Sequence, residues 1–321
     1  LSRADRLNYH DVPDNVTPEL KPYVDRLLAA EALIVVHPVW NYGFPAILKG
    51  YFDRVFMPGV SFILEGGDGP DKGTTTNTGS GSGGSWAVGQ RGAMVRLDPE
   101  GDIAFYPLEI DDDLRAIACK GHEQAVVAGA GGVVLTTVDA GVTWNRIDIG
   151  GSAELRAVAL SEGDRGYIVG DGVALRTQDD SLTWETLPID PHDWSAVATN
   201  VSGKLALLTS AAGDIYRLDE TTTLTQVHAG DGSVLTGVAL TPDGQHAVAV
   251  GQAGLLLRSD DAGTTWRAEL PATTRDLHAV RIAGDASLIL AVGQAGTVVR
   301  IAQDDTAVSE LLDPALSLRA I

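Results

Sequence analysis

The chain has 321 residues, of which 44% are hydrophobic, and 43 acidic residues against 23 Lys and Arg give a formal net charge of −20. This length accommodates two domains, and the negative charge argues against nucleic acid and anionic membranes as partners, because both bind through Lys and Arg patches. Cys119 is the one cysteine, so an intrachain disulfide and a cysteine-rich metal site are excluded, and no apolar run is long enough to span a membrane. We expect a globular, cytoplasmic protein.

Residues 1–72 show the pattern of a partial α/β sheet. Thr17 and Pro18 favour the start of a helix whose apolar residues fall on one face. The run ALIVVHP at 32–38 is typical of a strand that is buried on both faces of a parallel sheet. A loop and a second helix, at 45–56, follow this strand.

The stretch PVWNYGFPAILKGYFDRVF at 38–56 resembles the NAD(P)H:quinone reductase family of the modulator-of-drug-activity type. The resemblance covers about residues 1–65 and implies a flavodoxin-like fold. In that family the matching loop lies against the isoalloxazine ring of the flavin, where aromatic faces stack and backbone N–H groups bond the ring edge. The flavin-facing residues that the resemblance implies are Val39, Trp40, Asn41, Tyr42 and Gly43.

The family's phosphate-binding strand and loop, and the later strands with the Tyr and His that support hydride transfer, are not recognised in the chain. An isoalloxazine loop alone supplies little affinity, so we expect neither FAD nor FMN to be bound tightly. Plain packing is the expected role of Trp40, Tyr42 and Phe44. The alternative is a flavin-dependent NAD(P)H:quinone oxidoreductase that another chain completes.

Residues 73–85, GTTTNTGSGSGGS, contain only Gly, Ser, Thr and Asn. Such a run buries almost no apolar surface, so it predicts a flexible linker between residues 1–72 and 86–321. The run GSGSGGS resembles a laboratory linker, and a natural loop is the alternative.

Residues 86–321 contain a repeat of 39 to 42 residues. Each complete unit holds four short apolar runs that Gly punctuates, which predicts a four-stranded propeller blade. The first runs are LRAI (114–117), LRAV (155–158), WSAV (194–197), LTGV (235–238), LHAV (277–280) and LRAI (318–321). The fold class is therefore mainly β, a six-bladed β-propeller preceded by a partial α/β, flavodoxin-like fragment.

The two ends of the repeat are incomplete. The copy that starts at Trp86 lacks its first strand, and the last copy consists only of that strand, Leu318–Ile321. We predict a one-plus-three closure in which Leu318–Ile321 lies in the same blade as residues 86–110.

Three turns share the pattern [ST]-x-D-x-[GS]-x-T-W, which resembles the Asp box of neuraminidase repeats and photosystem II assembly-factor propellers. They are TVDAGVTW (137–144), TQDDSLTW (177–184) and SDDAGTTW (259–266). We expect a structural device in which the Asp and the Ser or Thr accept turn N–H groups, Gly is left-handed and Trp packs between blades.

Two sets of residues recur at equivalent places in the repeat. The second residues of the first strands are Arg115, Arg156, Ser195, Thr236, His278 and Arg319. Arg115, Arg156, His278 and Arg319 predict a positive collar for an anionic ligand or an acidic peptide, and the alternative is that they pack between blades or pair with local acids. A second set, for which we expect a structural role at the turns, is Arg96, Arg176, Arg217, Arg258 and Arg300.

No catalytic or metal-binding pattern is found. The seven His residues are scattered without metal-ligand spacing, and the arginine triad with a Tyr nucleophile that a sialidase needs is not recognisable. We therefore expect a non-catalytic module that binds a protein or peptide, such as the tethered residues 1–65 or another copy of the chain. An engineered fusion is compatible with this interpretation.

Overall fold

The computed structural model describes residues 80–81, 84–97, 103–106, 108, 110–121, 123–269, 272–302 and 307–311. All of them belong to the second of the two units into which the chain divides, Gly69–Ile321. The predicted flavin-facing loop and the rest of residues 1–72 lie outside the described residues. The described part of the chain forms strands and two single turns of 3₁₀ helix, Ala130–Gly132 and Gln252–Gly254.

The strands form six antiparallel sheets of four strands each, and in every sheet the strands follow chain order. Blade 1 contains β1 (Ser80–Gly81), β2 (Gly84–Val88), β3 (Met94–Leu97) and β4 (Ile103–Phe105). Blade 2 contains β5 (Leu114–Lys120), β6 (Gln124–Gly129), β7 (Val134–Thr137) and β8 (Asn145–Ile147). Blade 3 contains β9 (Leu155–Leu160), β10 (Gly166–Gly170), β11 (Val173–Thr177) and β12 (Glu185–Thr186).

Blade 4 contains β13 (Trp194–Thr199), β14 (Ala206–Ser210), β15 (Ile215–Leu218) and β16 (Leu224–His228). Blade 5 contains β17 (Leu235–Leu240), β18 (Ala247–Gly251), β19 (Leu256–Ser259) and β20 (Arg267–Ala268). Blade 6 contains β21 (Leu277–Ile282), β22 (Leu288–Gly293), β23 (Thr297–Ala302) and β24 (Ala307–Leu311). The mainly-β, six-bladed prediction is confirmed.

The core of the structure lies between the blades. Five apolar clusters join blades 1–2, 2–3, 3–4, 4–5 and 5–6. In the cluster between blades 2 and 3, Val126 and Ala128 of β6 pack with Leu155 of β9 and Ile168 of β10, and all four side chains are fully buried. Sheets whose two faces are both covered in this way need apolar residues on both faces, which explains the near-continuous apolar runs in the repeat.

The three Asp boxes have the predicted structural role. In the first, the Asp139 carboxylate accepts hydrogen bonds from Thr143 N at 2.9 Å, Thr143 Oγ1 at 2.6 Å and Thr137 Oγ1 at 2.8 Å. Gly141 N donates to Thr137 Oγ1 at 2.9 Å, and the φ of Gly141 is +83°, a left-handed conformation that Gly adopts without steric cost. The bonds from Thr143 and Thr137 hold the pKa of Asp139 below its ordinary value.

Each intact box also contacts the preceding blade. A Cβ on Gly141 would lie 2.3 Å from the Trp86 ring, and the rings of Trp86 and Trp144 meet edge to face with centroids 5.5 Å apart. Arg96 lies over the Trp86 ring and donates to the carbonyl of Ala140 at 3.0 Å. The prediction that Trp packs between blades is confirmed at this junction.

The second arginine set bonds turn carbonyls where the next blade carries an Asp box. Arg217 of blade 4 donates to Ala262 O of blade 5 at 3.1 Å, as Arg96 does to Ala140. Blade 4 has no Asp box, and Arg176 of blade 3 bonds Glu185 of its own blade at 2.5 Å. The expected structural role at the turns is observed for Arg96 and Arg217, whereas Arg176 bonds a side chain of the adjacent strand.

The first blade differs from the sequence-based prediction. Ser80 pairs with Ser85 and Gly81 with Gly84, so four residues of the predicted linker form part of a sheet. The sequence pattern fails here because the backbone N–H and C=O groups of Gly and Ser pair as well as those of any residue. The strand beside β2 was predicted to be Leu318–Ile321, which lies outside the described residues.

We predict that Asp261→Asn lowers the melting temperature by a few degrees at neutral pH. Hydrogen bonds from Thr265 hold the pKa of Asp261 at about 2, against about 3.9 for an unfolded Asp. The carboxylate therefore stabilises the fold above the unfolded pKa, and this contribution is lost as the pH falls towards 2. Thermal melts across this range should show the wild-type and variant melting temperatures converging in acid.

Asp148→Asn is the matched control, because Asp148 lies outside the boxes and, among the residues that the structure describes, accepts only from Gly150 N, at 2.9 Å. We expect Asp148→Asn to lower the melting temperature less than Asp261→Asn does. If the difference in melting temperature between wild type and Asp261→Asn stays constant from neutral to acid pH, the role given to the Asp261 carboxylate is contradicted.

Candidate functional site

The inner rim is the end of the blades at which the first strands begin. We define it by Leu114, Leu155, Trp194, Leu235 and Leu277, the first residues of β5, β9, β13, β17 and β21. Because the strands of each blade alternate in direction, the loops that lead into these strands and the turns between the second and third strands lie at this rim. The Asp boxes, between third and fourth strands, lie at the opposite rim.

The second residues of the first strands occupy equivalent positions at the inner rim. Arg115 of blade 2 forms an ion pair with Glu154 at 2.8 Å, and both side chains are about half exposed. Arg156 of blade 3 forms an ion pair with Asp193 and donates to Trp194 O at 3.0 Å. Each arginine therefore bonds residues at the start of the next blade.

The uncharged members of the set also form bonds at this rim. Thr236 donates to Leu277 O of the next blade at 2.5 Å, and Ser195 hydrogen-bonds Thr209 within its own blade at 2.9 Å. His278 lies at the equivalent position of β21 and is partly buried. Arg319, the remaining predicted collar residue, lies outside the described residues.

A ring of acids lies directly beside the predicted collar. Each acid immediately precedes a first strand, and the four members are Asp113, Glu154, Asp193 and Asp276. Glu154 and Asp193 pair with the rim arginines, whereas Asp113 accepts from Arg91 N at 3.1 Å and Asp276 from Ala253 N at 2.9 Å. The rim thus alternates in charge, and Arg115 and Arg156 pair with local acids, which was the alternative to a positive collar.

The acid ring was missed in the sequence analysis although its signal is visible there. Quoted with one more residue, the repeat reads DLRAI, ELRAV, DWSAV, VLTGV and DLHAV, so an acid precedes four of these five runs. The acids lie one position before the segment by which the repeat was recognised. Their pairing with arginines of the preceding blade could not be seen in the sequence, because it requires the three-dimensional arrangement of neighbouring blades.

An aromatic cluster lies at the inner rim between blades 3 and 4. The ring of His192 lies 4.7 Å from that of Trp194 and 4.7 Å from that of Tyr216, measured between centroids, and the rings of Trp194 and Tyr216 are 5.2 Å apart. Burial raises the pKa of Tyr216, and the negative charges of Asp214 and Asp190 raise it further. The Trp194 Nε1 atom is buried and has no hydrogen-bond partner within the described part of the chain.

The described residues hold no group of three or more His, Cys, Asp or Glu side chains that could bind a metal ion. No helix among these residues is long and apolar enough to cross a membrane. Burial raises the pKa of the Cys119 thiol to about 12, so the thiol is protonated at neutral pH and is a poor nucleophile.

Comparison with known families confirms both resemblances seen in the sequence. Residues 3–90 match the flavodoxin-like fold family, and residues 104–234 match the family of photosynthesis system II assembly factor YCF48. The first match extends past the 1–65 span assigned from sequence and reaches β2 of blade 1.

The curated relatives are oxidoreductases. The chain is 38% identical over 62 residues to the uncharacterized NAD(P)H oxidoreductase YcaK of Escherichia coli, which covers 19% of this chain and 32% of the relative. It is 35% identical over 91 residues to FMN-dependent NADH:quinone oxidoreductase 1 of Idiomarina loihiensis, which covers 26% of this chain and 49% of the relative. The chain therefore spans about a third to a half of these two relatives.

The similar solved structures share the fold. YCF48 bound to D1 peptide aligns with a TM-score of 0.53 at 20% identity, over 65% of this chain and 69% of that chain. Virginiamycin B lyase from Staphylococcus aureus aligns with a TM-score of 0.60 at 14% identity, over 75% of this chain and 88% of that chain. At these identities the likeness shows the propeller fold alone.

We predict that the pair of Arg156 and Asp193 contributes less than about 1 kcal/mol to stability, because both side chains are accessible to water. A double-mutant cycle with Arg156→Ala and Asp193→Ala, measured by urea denaturation, gives this coupling energy. The coupling should shrink further at high salt. A coupling energy above about 2 kcal/mol that does not change with salt would contradict this prediction and would show that the pair stabilises the fold.

Proposed function

We propose that the propeller is a non-catalytic module that binds an extended protein segment across its inner rim. The observation that carries the proposal is two partly exposed ion pairs at that rim, Arg115 with Glu154 and Arg156 with Asp193. Exposed pairs of this kind are weak, so a ligand can replace one partner at little cost. A peptide carboxylate can take the place of Glu154 or Asp193, and a peptide lysine can approach the acid ring.

The aromatic cluster adds an apolar contact beside the ion pairs. His192 is partly exposed and covers Trp194 and Tyr216. Aromatic and arginine side chains are the groups that most often dominate binding energy at protein interfaces. The solved YCF48 structure, a propeller bound to a peptide, supports the same use of the fold.

Arg319 and His278 belong to the same proposed surface. They occupy the equivalent second positions of the repeat, and Arg319 supplies a third guanidinium if its segment completes the first blade. The tethered residues 1–65 are one proposed source of the bound segment, since tethering through a short linker raises effective concentration into the millimolar range.

Fluorescence anisotropy tests this proposal with two probes, the labelled D1 peptide and overlapping labelled peptides from residues 1–65. We expect at least one probe to bind the wild-type chain, and Arg156→Ala to weaken its binding about tenfold, since a hydrogen bond to a charged group is worth about 1.5 kcal/mol or more. Arg176→Ala is the matched control, because its ion pair with Glu185 lies in the third and fourth strands, away from the inner rim.

The expected result is weakening by Arg156→Ala and at most a twofold change with Arg176→Ala. Absence of binding by every probe, or equal weakening by the two variants, contradicts the inner rim as the site.

A second proposal concerns the flavodoxin-like region. The match over residues 3–90 and the FMN-dependent relatives favour a flavin-dependent oxidoreductase activity, with Val39, Trp40, Asn41, Tyr42 and Gly43 facing the flavin ring. In this proposal another chain supplies the rest of the site. Gel filtration after incubation with FMN tests this with a second copy as the other chain: flavin absorbance that elutes with the protein at the mass of a dimer or larger supports the proposal, and complete separation of the flavin contradicts completion of the site by a second copy.

A further inference from the structure

Large apolar side chains are exposed at the rim that carries the Asp boxes, opposite the inner rim; we call it the Asp-box rim. Among the described residues six large hydrophobic side chains are exposed, and four of them lie at this rim in blades 2, 3 and 4. The four are Val138, Val142, Leu182 and Val201, with exposed fractions of 52%, 81%, 65% and 44%. The other two, Val308 and Leu311, lie on β24 in blade 6.

The two most exposed of these side chains take no part in the Asp box. Val142 and Leu182 occupy the same position of the motif, between the Gly or Ser and the Thr. At this position the box uses only the backbone, as where Val142 N donates to Asp139 O at 3.2 Å. The third box has Thr264 there, and its Asp261 carboxylate accepts the same bonds from the following Thr. The turn therefore does not require an apolar side chain at this position.

The turns of the three blades are bonded to one another at this rim. Lys120, at the end of β5 in blade 2, donates from Nζ to Asp180 Oδ1 at 2.5 Å and to Gly163 O at 2.6 Å, both in blade 3. Glu162 N of blade 3 donates to Val201 O of blade 4 at 3.1 Å. The exposed apolar side chains therefore lie on a surface that hydrogen bonds join across three blades.

The same surface is acidic. The turns of blades 2 to 4 at this rim contain eight acidic residues, which are Glu123, Asp139, Glu162, Asp164, Asp179, Asp180, Asp219 and Glu220. Glu123, Glu162 and Asp164 are exposed and have no ion-pair partner in the described part of the chain. The apolar side chains are therefore interspersed with carboxylates that attract cations.

Few cations offset these acids. Lys120 is paired with Asp180 at 2.5 Å, and Lys204 is paired with Glu220 at 3.0 Å. Arg165 is the remaining Lys or Arg in these turns, and it is partly buried. A partner that brings its own cations therefore meets carboxylates that are not yet neutralised.

Blade 5 has neither feature. No large hydrophobic side chain is exposed among residues 235–268, all of which the structure describes. The acid beside its Asp box, Asp260, is bonded by His246, Arg258 and Arg267. The combination of exposed apolar side chains and unpaired carboxylates is therefore particular to blades 2 to 4 and does not follow from the repeat.

We propose that a basic amphipathic segment of a partner protein binds the Asp-box rim of blades 2 to 4. Its apolar side chains cover Val142, Leu182 and Val201. Its Lys or Arg side chains pair with Glu162 and Asp164. Burial of the aliphatic side chains supplies affinity, and the complementary charge supplies orientation and a fast encounter.

Charge decides between this occupant and the others that the chain itself could provide. A second copy carries the same net charge of −20, so it would bring acids against acids. Residues 1–65 also contain more Asp and Glu than Lys and Arg. The site lies at the rim opposite the proposed peptide-binding rim, so it neither requires that function nor fails with it.

Fluorescence anisotropy with the full chain tests the proposal. The probe is a labelled helical peptide of about 14 residues, or four turns, made of Leu and Lys with the Leu residues on one face. One control peptide has Glu in place of every Lys, and a second has Ser in place of every Leu. We expect the Leu and Lys probe to bind, and each control peptide to bind at least about tenfold more weakly, because the surface requires both apolar side chains and cations.

Paired variants locate the site. The double variant Val142→Ser with Leu182→Ser should weaken binding of the Leu and Lys probe about tenfold, because it removes apolar contact area. Val308→Ser with Leu311→Ser is the matched control, since these side chains are 47% and 50% exposed but lie in blade 6, and it should leave binding within about twofold. All four positions are exposed, so both variants should melt at the wild-type temperature.

The charge contribution is tested in the same way. Glu162→Gln should weaken binding of the probe about threefold at low salt, and this difference should shrink at high salt. Asp148→Asn is the matched control, because Asp148 is also exposed but lies at the end of β8 that faces the inner rim.

Four results overturn the proposal. They are no binding of the Leu and Lys probe, equal binding of the peptide with Glu, equal weakening by the two double variants, and equal weakening by Arg156→Ala, which would place the probe at the inner rim. Sedimentation adds a fifth: a wild-type dimer that Leu182→Ser converts to a monomer would show that a second copy covers the surface.

Discussion

The fold depends on one constraint, which is that each four-stranded sheet buries its apolar faces only against the blades on either side. A single blade of this size has no interior, and its strands are apolar on both faces. The cluster between blades 2 and 3 shows the result, since Leu155 and Ile168 are fully buried where they pack with residues of blade 2. Every junction must therefore be filled, and an unfilled junction exposes two faces at once.

Bonds that cross the junctions act at both rims. At the rim opposite the inner rim, where the Asp boxes lie, Arg96 and Arg217 each donate to the carbonyl of a turn in the following blade. At the inner rim, Arg115 and Arg156 bond acids that begin the following blade. The first kind of bond ends on a backbone group beside a packed turn, whereas the side chains of the second kind are partly exposed to water.

The blade repeat, the three Asp boxes and the six-sheet architecture could be predicted from the sequence, because each has a local signal. The 40-residue period and the Thr137, Asp139 and Thr143 pattern are determined by neighbouring residues and need no knowledge of the ring. The alternating charges of Arg156 and Asp193 could not be predicted with the same ease, since the pair joins residues from two blades. The strand at Ser80–Gly81 was missed because backbone pairing carries no side-chain signal.

Amide hydrogen exchange along β2 tests most directly whether every junction is filled. Peptides that cover Gly84–Val88 should be as protected as those that cover Gln124–Gly129 of β6, because the account places a strand beside both. Deleting Leu318–Ile321 should accelerate exchange in β2 and leave β6 unchanged. Exchange in wild-type β2 at the rate of an exposed sheet edge, unaffected by the deletion, would contradict the account.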